Sequence, residues 1–288
     1  MSTFKNKDKA IFHPIIFTMS YQTLTIVEED HIAFVKLNRP EKANALNQQG
    51  WDDLHNAFVT LDKNDDMRVI VLSGEGNHFC SGIDISLLAG LKQSTADACE
   101  GRTREKLRRL VLELQDCINA VEKCRKPVIA AIHGACVGGG LDLAAACDMR
   151  YSTEDALFTI KEIDLGMVAD LGSLQRLPRL IGESQVREMA YTGRNVPGVE
   201  AKSLGLVNKA YPTVDALMTA VRQLAATIAA KSPLAIRGTK EMITYARDHT
   251  TNDSLNYIAT WNAAMLMSED LTETIQAKME KRSPTYRN

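Results

Sequence analysis

The sequence predicts an α/β fold with a mainly helical C-terminal region. Three observations carry this expectation. Short runs of strand length, apolar but for their last residue, occur at Val69–Ser73 and Pro127–His133. Each leads through a glycine-containing turn into a segment with helical apolar spacing. From Ser173 onward the spacing is mainly helical. Strands alternating with helices, followed by a helical tail, make one α/β layer structure with an extension.

Composition agrees. Of 288 residues, 45% are hydrophobic and 24% charged, enough to bury a sizeable core without disulfides or metals. Lys plus Arg number 34 against 36 Asp plus Glu, which argues against a broad electrostatic grip on nucleic acid. The longest apolar stretches, such as Pro127–Ile132, fall far short of the roughly 20 residues that span a bilayer.

In chain order, residues 1–20 read as an N-terminal extension. Lys5, Lys7 and Lys9 precede the apolar, Pro-interrupted run Ala10–Phe17, which fits an organelle-targeting segment, but the segment has no arginine and carries Asp8. Thr23–Val27 and Ile32–Leu37 read as paired strands with Glu28–Asp30 as the turn. Leu46–Leu61 has helical spacing with Asn47 as its cap. Val69–Ser73 suits a sheet covered on both faces. After the loop Gly74–Cys80, Asp84–Gly90 begins a helix, and the long polar stretch Thr103–Cys124 is a second. The buried strand Pro127–His133 leads through a glycine run into the helix Leu141–Cys147, and Met149–Ser152 and Leu157–Ile160 add strands. Helices are expected at Ser173–Ile181, Ser184–Thr192, Gly198–Leu204, Val214–Lys231 and from Pro233 to about Arg282. The chain thus divides into the extension, a core at 21–210 that holds the site, and a helical region at 211–288.

The six cysteines form no CxxC pair and read as reduced thiols packed as small hydrophobes. No Cys/His spacing fits a metal site, and His133 at the end of an apolar strand reads as a core residue.

Two strand-to-helix junctions carry chemistry: Phe79-Cys80-Ser81-Gly82-Ile83-Asp84-Ile85 and His133 to Leu143, with Gly138-Gly139-Gly140 inside it. Glycine lets backbone approach a ligand, and helix N-termini offer unpaired N–H groups. The run is neither a dinucleotide fingerprint nor a phosphate-binding loop. One such turn is equally well explained by tight helix–strand packing; two suggest converging donors for an oxyanion. Acidic residues also fall among apolar ones: Asp142 in the first turn of its helix, Glu162 after a strand, and Asp170 within Leu165–Gly172. Singly, these read as a cap or surface charges. Together with the turns they suggest carboxyls of raised pKa suited to moving protons.

At these residues the sequence resembles the crotonase, or enoyl-CoA hydratase/isomerase, superfamily. The likeness spans nearly all of residues 21–284 and includes Leu37–Leu46, Phe79–Ile85, Gly138–Asp142, Gln175–Pro178 and Ser232–Ala235. Within the superfamily the chain is most similar to the Δ3,5-Δ2,4-dienoyl-CoA isomerases. Hydratases usually carry glycine where this chain has Asp170, and the isomerases' Asp/Glu/Asp trio maps onto Asp142, Glu162 and Asp170.

The resemblance implies a spiral of ββα units forming two perpendicular sheets, with C-terminal helices making a homotrimer or a dimer of trimers. It implies isomerisation of 3,5-dienoyl-CoA to 2,4-dienoyl-CoA in fatty-acid β-oxidation, with N–H groups of Ile83 and Gly139 as the oxyanion hole. Glu162 is expected near C2 and Asp170 deeper, at C6, although the two could be exchanged. Asp142 is expected to hold Glu162 and raise its proton affinity. Lys42, Ala43, Ala45, Gly82, Ile83, Asp84, Ile85, Ser86 and Gly140 are the expected substrate-binding residues, with Lys42 either meeting a phosphate or simply solvated. No metal or redox cofactor is implied, since coenzyme A is part of the substrate. The alternatives are a 2-enoyl-CoA hydratase or a Δ3-Δ2-enoyl-CoA isomerase. An RNA-binding member is disfavoured by the acidic segment Asn47–Arg68, and a catalytically silent partner by the presence of all three carboxylates and both turns. The N-terminal lysines favour a mitochondrial location, with peroxisome or glycosome as alternatives; the C-terminus is not of the Ser-Lys-Leu type.

Overall fold

A computed structural model describes residues 21–288. The expectation for residues 1–20 falls outside the described residues.

The chain opens with an antiparallel hairpin of β1 (Leu24–Glu29) and β2 (Ile32–Leu37). Its turn is Asp30-His31, both left-handed with φ of 48° and 65°, as a two-residue hairpin turn requires. The strand therefore runs two residues beyond the expected Val27. β1 lies at the sheet edge with an alternating exposed face, so Glu28 and Glu29 stay in register while remaining partly in water. Then follow α1 (Gln48–Lys63), β3 (Val69–Gly74), α2 (Ile85–Ser94), α3 (Glu100–Lys123), β4 (Val128–Ile132), β5 (Ala135–Val137), α4 (Gly139–Ala146), β6 (Met149–Thr153) and β7 (Leu157–Thr159). The remainder is α5 (Ser173–Arg176), α6 (Glu183–Thr192), β8 (Val196–Pro197), α7 (Gly198–Leu204), β9 (Lys209–Tyr211), α8 (Val214–Ala229), α9 (Pro233–Tyr245), α10 (Thr251–Met265) and α11 (Glu269–Met279).

The large sheet has the order β1-β2-β3-β4-β6-β9 and is parallel from β2 onward. A smaller sheet, β5-β7-β8, is extended by the parallel bridges Cys80↔Cys136 and Leu46↔Ile83. The chain thus repeats one unit: a strand in the large sheet, a short strand or bridge in the second layer, then a helix. β2–Leu46–α1, β3–Cys80–α2 and β4–β5–α4 are successive turns of this spiral.

Both faces of the large sheet are covered, which explains why β3 and β4 are buried along their whole length. Trp51, Leu54 and Phe58 of α1, Ile118 and Val121 of α3, and Leu141 and Leu143 of α4 pack in the cluster on one side. On the other, Phe34, Val71 and Ile129 meet Leu217, Val221 and Ala225 of α8. α8 therefore completes the core, so the core extends beyond residue 210 and the outlying helices start at Pro233. α10 buries none of its residues.

Two expected helices are interrupted. Ser173–Ile181 is α5 followed by a 3₁₀ turn at Leu177–Arg179, because Pro178 has no N–H for an α-helical bond. The tail splits into three helices, each beginning at a side-chain cap: Ser232, Thr250 and Ser268.

Candidate active site

The turn at residues 80–84 is held like a strand. Leu46 N–H donates to Gly82 O at 2.8 Å, and Asp84 N–H donates to Leu46 O at 3.0 Å. With both flanking residues paired to Leu46, the pleat turns the N–H of Ile83 to the opposite side, toward α4. On that side stands Gly139, the first residue of α4, whose N–H has no intrahelical acceptor. Among the described residues neither amide has a hydrogen-bond partner. The two come close: a Cβ added to Gly82 would lie 3.2 Å from Gly139 N, and one added to Gly139 would lie 3.6 Å from Ile83 N. The two turns lie against each other because Gly140 has no side chain; a Cβ there would meet Cys80 O at 2.4 Å.

Gly138 shapes the next feature. Its φ is 52°, and a Cβ would lie 2.9 Å from Glu162 Oε1, so glycine leaves room for that carboxyl beside the amide pair. Glu162 enters from the start of a 3₁₀ turn (Glu162–Leu165) just after β7. Asp170 lies on the following loop. Ile83, Gly139, Glu162 and Asp170 all line one cavity of about 410 Å³. The rest of its wall is largely apolar, with Leu88 and Leu91 from α2, Leu107, Leu110, Val111 and Leu114 from α3, and Met167.

Each carboxyl is pushed toward its neutral form. Burial raises Asp142 to about 7, with the like charge of Glu162 adding to it and the hydrogen bond from Ser173 opposing it. Burial also raises Glu162, against its local backbone donors, and the charge of Asp170 adds to the shift. Asp170 is raised as well, by desolvation against its own backbone. Asp142 Oδ2 and Glu162 Oε2 are buried without hydrogen-bond partners.

Two expectations are corrected. Asp142 does not hold Glu162: its Oδ1 accepts Ser173 N–H at 2.5 Å, and its other oxygen is unpartnered. It lies buried behind the cavity, bracing the segment after Asp170, and the charges of the two acids oppose each other's ionisation. Nor does Asp170 lie deeper than Glu162, since Glu162 is half-buried and Asp170 exposed. The backbone around it is buried at Ala169 and at 171–173, so it is the Asp170 side chain that stands out toward solvent.

Of the expected substrate-binding residues, Gly82, Ile83 and Ile85 line the cavity together with Ser81. Lys42, Ala43, Ala45, Asp84 and Ser86 do not line it but are tied to its edge. Ser81 N–H donates to Ala43 O at 3.0 Å, and Arg39 Nη1 donates to Ala45 O at 2.6 Å and to Asp84 at 3.1 Å. Ala43 and Asn44 are left-handed, held there by buried Asn44, whose side chain accepts from Arg39 N–H and donates to Glu75 O and His78 O. Gly140 is buried behind the turn. Sequence reasoning missed the wall supplied by α2 and α3. Its signal was present in α3, where 107, 110, 111 and 114 follow the i, i+3, i+4, i+7 spacing of one helical face. Among the described residues no group of three or more His, Cys, Asp and Glu converges to hold a metal ion. All six cysteines are free thiols; five are buried and Cys99 is exposed.

The Asp142 shift makes a stability prediction. An acid raised in the folded state contributes stability that is fully present below its ordinary 3.8 and is lost as pH rises through about 7. Asp142→Asn keeps an acceptor for Ser173 N–H but cannot ionise. Urea unfolding should therefore show the variant gaining on the native protein between pH 4 and 8, by up to about 1.4 kcal/mol per pH unit within that window. A pH-independent difference would contradict a buried, neutral Asp142.

Known proteins resemble this chain in sequence and in fold. The profile of the enoyl-CoA hydratase/isomerase family matches residues 27–288. The peroxisomal Δ(3,5)-Δ(2,4)-dienoyl-CoA isomerase of Arabidopsis thaliana is 48% identical over 271 residues, spanning 93% of this chain and 98% of that protein. The mitochondrial enzyme of the same description from Mus musculus is 45% identical over 266 residues, spanning 91% and 81%. Among solved structures, an enoyl-CoA hydratase from Bacillus anthracis superposes with a TM-score of 0.83 at 32% identity, covering 92% of this chain and 99% of that one. The chain belongs to the enoyl-CoA hydratase/isomerase family.

Proposed function

We propose that the protein is an isomerase that converts 3,5-dienoyl-CoA to 2,4-dienoyl-CoA in the β-oxidation of unsaturated fatty acids. The observation that carries this is the second carboxyl, Asp170, on the same apolar cavity as Glu162. Moving a conjugated pair of double bonds by one carbon along the chain removes a proton from C2 and adds one at C6, which needs two proton-transfer groups at separated places. A hydratase positions one water between two acids and has no work for a third group. The greater identity to isomerases than to the hydratase structure points the same way.

In this mechanism the thioester oxygen lies between Ile83 N–H and Gly139 N–H, and the α4 dipole adds positive potential there. Ionised Glu162 takes the C2 proton. The electron pair spreads through the dienolate onto that oxygen, where the two preorganised donors stabilise it by an amount typically worth about 10²–10³ in rate per donor. Protonated Asp170 delivers to C6, and desolvation shifts it toward that form relative to a free aspartate. Asp142 braces the loop from behind. Proton transfer exchanges no electrons with the protein, so the scheme calls for neither metal nor redox cofactor. The coenzyme A portion would run along the edge formed by Lys42, Ala43, Ala45 and Gly82–Ser86, with Lys42 placed for a phosphate.

The remaining assignments are also proposals. No helix among the described residues is long and apolar enough to cross a membrane. Leu255 and Met279 on the outlying helices and Met267 between α10 and α11 are 61%, 78% and 90% exposed, which supports contacts between copies through the residues beyond Pro233. We assign a homotrimer, or a dimer of trimers. Light scattering should give three or six times the 31.8 kDa chain mass, and a monomer would contradict it. The N-terminal lysines favour a mitochondrial over a peroxisomal or glycosomal location.

Ultraviolet absorbance tests the reaction. With a 3,5-dienoyl-CoA, the thioester-conjugated diene should appear, and Asp170→Asn should slow it by about 10²–10⁴-fold. Loss of the 2-enoyl band from a 2-trans-enoyl-CoA, with no diene formed from the first substrate, would establish a hydratase instead.

A further inference from the structure

One helix, α3, meets the Asp170 loop with two adjoining stripes. The apolar stripe, which includes Leu110, Val111 and Leu114, lines the cavity. The polar stripe, Gln115, Asn119 and Glu122, holds the backbone that carries Asp170. Gln115 Nε2 donates to Asp170 O at 2.6 Å. Asn119 Oδ1 and Glu122 Oε2 each accept from Arg176 Nη2 at 2.8 Å, and Arg176 Nη1 donates in turn to Leu171 O at 3.2 Å. Gly172, with φ of 127°, makes room for that guanidinium; a Cβ there would lie 1.8 Å from Nη1. With Ser173 N–H held by Asp142, the backbone at 170, 171 and 173 is fixed at three points, one directly by α3 and one through Arg176 of α5, which α3 holds. Among the described residues no side chain hydrogen-bonds the Asp170 carboxyl, so its aim depends on how its backbone is held.

We propose that Gln115 is a positioning residue that sets the reach of Asp170 into the cavity. The same helix would then support the acyl chain and the acid acting on its far end, keeping the two in register. This rests on the proton-transfer reading above and deepens it. Gln115 itself touches neither substrate nor the carboxyl; it acts only through Asp170.

A double-mutant cycle tests it, using purified full-length protein and a 3,5-dienoyl-CoA. Gln115→Met keeps the shape of the side chain and removes the donor. It should lower kcat about 10- to 100-fold, the effect of a slight misplacement of a reacting group, while KM stays within about twofold. Adding Gln115→Met to Asp170→Asn should slow the residual rate no further, because the two act as a unit. Should Gln115→Met fail to fold, Gln115→Glu carries the same test, since an ionised carboxylate cannot donate either. An unchanged kcat in the single variant, or effects that multiply in the double variant, would overturn the proposal. Full activity of Asp170→Asn alone would instead overturn the proton-transfer reading, whatever Gln115 does.

Discussion

The contact between two backbone turns, Cys80–Ile83 and Gly138–Gly140, is the constraint from which the site follows. Neither turn could approach the other with a side chain at Gly140, because Cys80 O occupies the place a Cβ would take. Once the turns touch, several consequences arrive together. The parallel bridge between Cys80 and Cys136 joins successive units of the spiral. Two amides without partners face one another, one from a strand-like turn and one from a helix N-terminus. Gly138 admits the Glu162 carboxyl beside them. The amide pair and its adjacent carboxyl are thus one packing solution, made from backbone that the fold already needs.

Around that seam the protein keeps three carboxyls in places that disfavour charge. Burial dominates each shift, and the like charges reinforce two of them. An acid held near neutrality costs stability at physiological pH, and it is at functional sites that proteins accept such a cost. The three differ in what surrounds them. Asp142 is sealed and spends its one hydrogen bond on Ser173. Glu162 is half-buried against the glycine turn, and Asp170 meets both the cavity and solvent. In the proposed mechanism, these environments separate the roles of bracing, nearby proton transfer and distal proton transfer among chemically similar side chains.

Much of this was legible in the sequence because it depends on local pattern. β3 and β4 announce themselves as apolar runs since both sheet faces are covered, and Asn47 caps α1 as its position before the helix suggests. The glycine turns and the out-of-place acids marked the site. What escaped depends on contacts between distant segments. Ser173 lies 31 residues from Asp142, so no spacing rule could pair them. α3 read simply as a polar helix, although one face lines the cavity and the next grips a loop more than fifty residues away. α8 looked like the rest of the helical tail, but its small apolar face, including Ala225 and Ala229, packs against the sheet. The hairpin turn shifted because Asp30 and His31 accept left-handed backbone, a freedom that neither residue type advertises as glycine would.

The central claim is that Glu162 and Asp170 divide the proton work between the two ends of the diene. Nuclear magnetic resonance of a 3,5-dienoyl-CoA incubated with enzyme in D₂O tests it most directly. The native enzyme should form product carrying deuterium at C6. Substrate recovered from Asp170→Asn should carry deuterium at C2 with little product formed, and substrate recovered from Glu162→Gln should be unlabelled. Exchange at C2 that persists in Glu162→Gln, or that disappears in Asp170→Asn, would contradict the division.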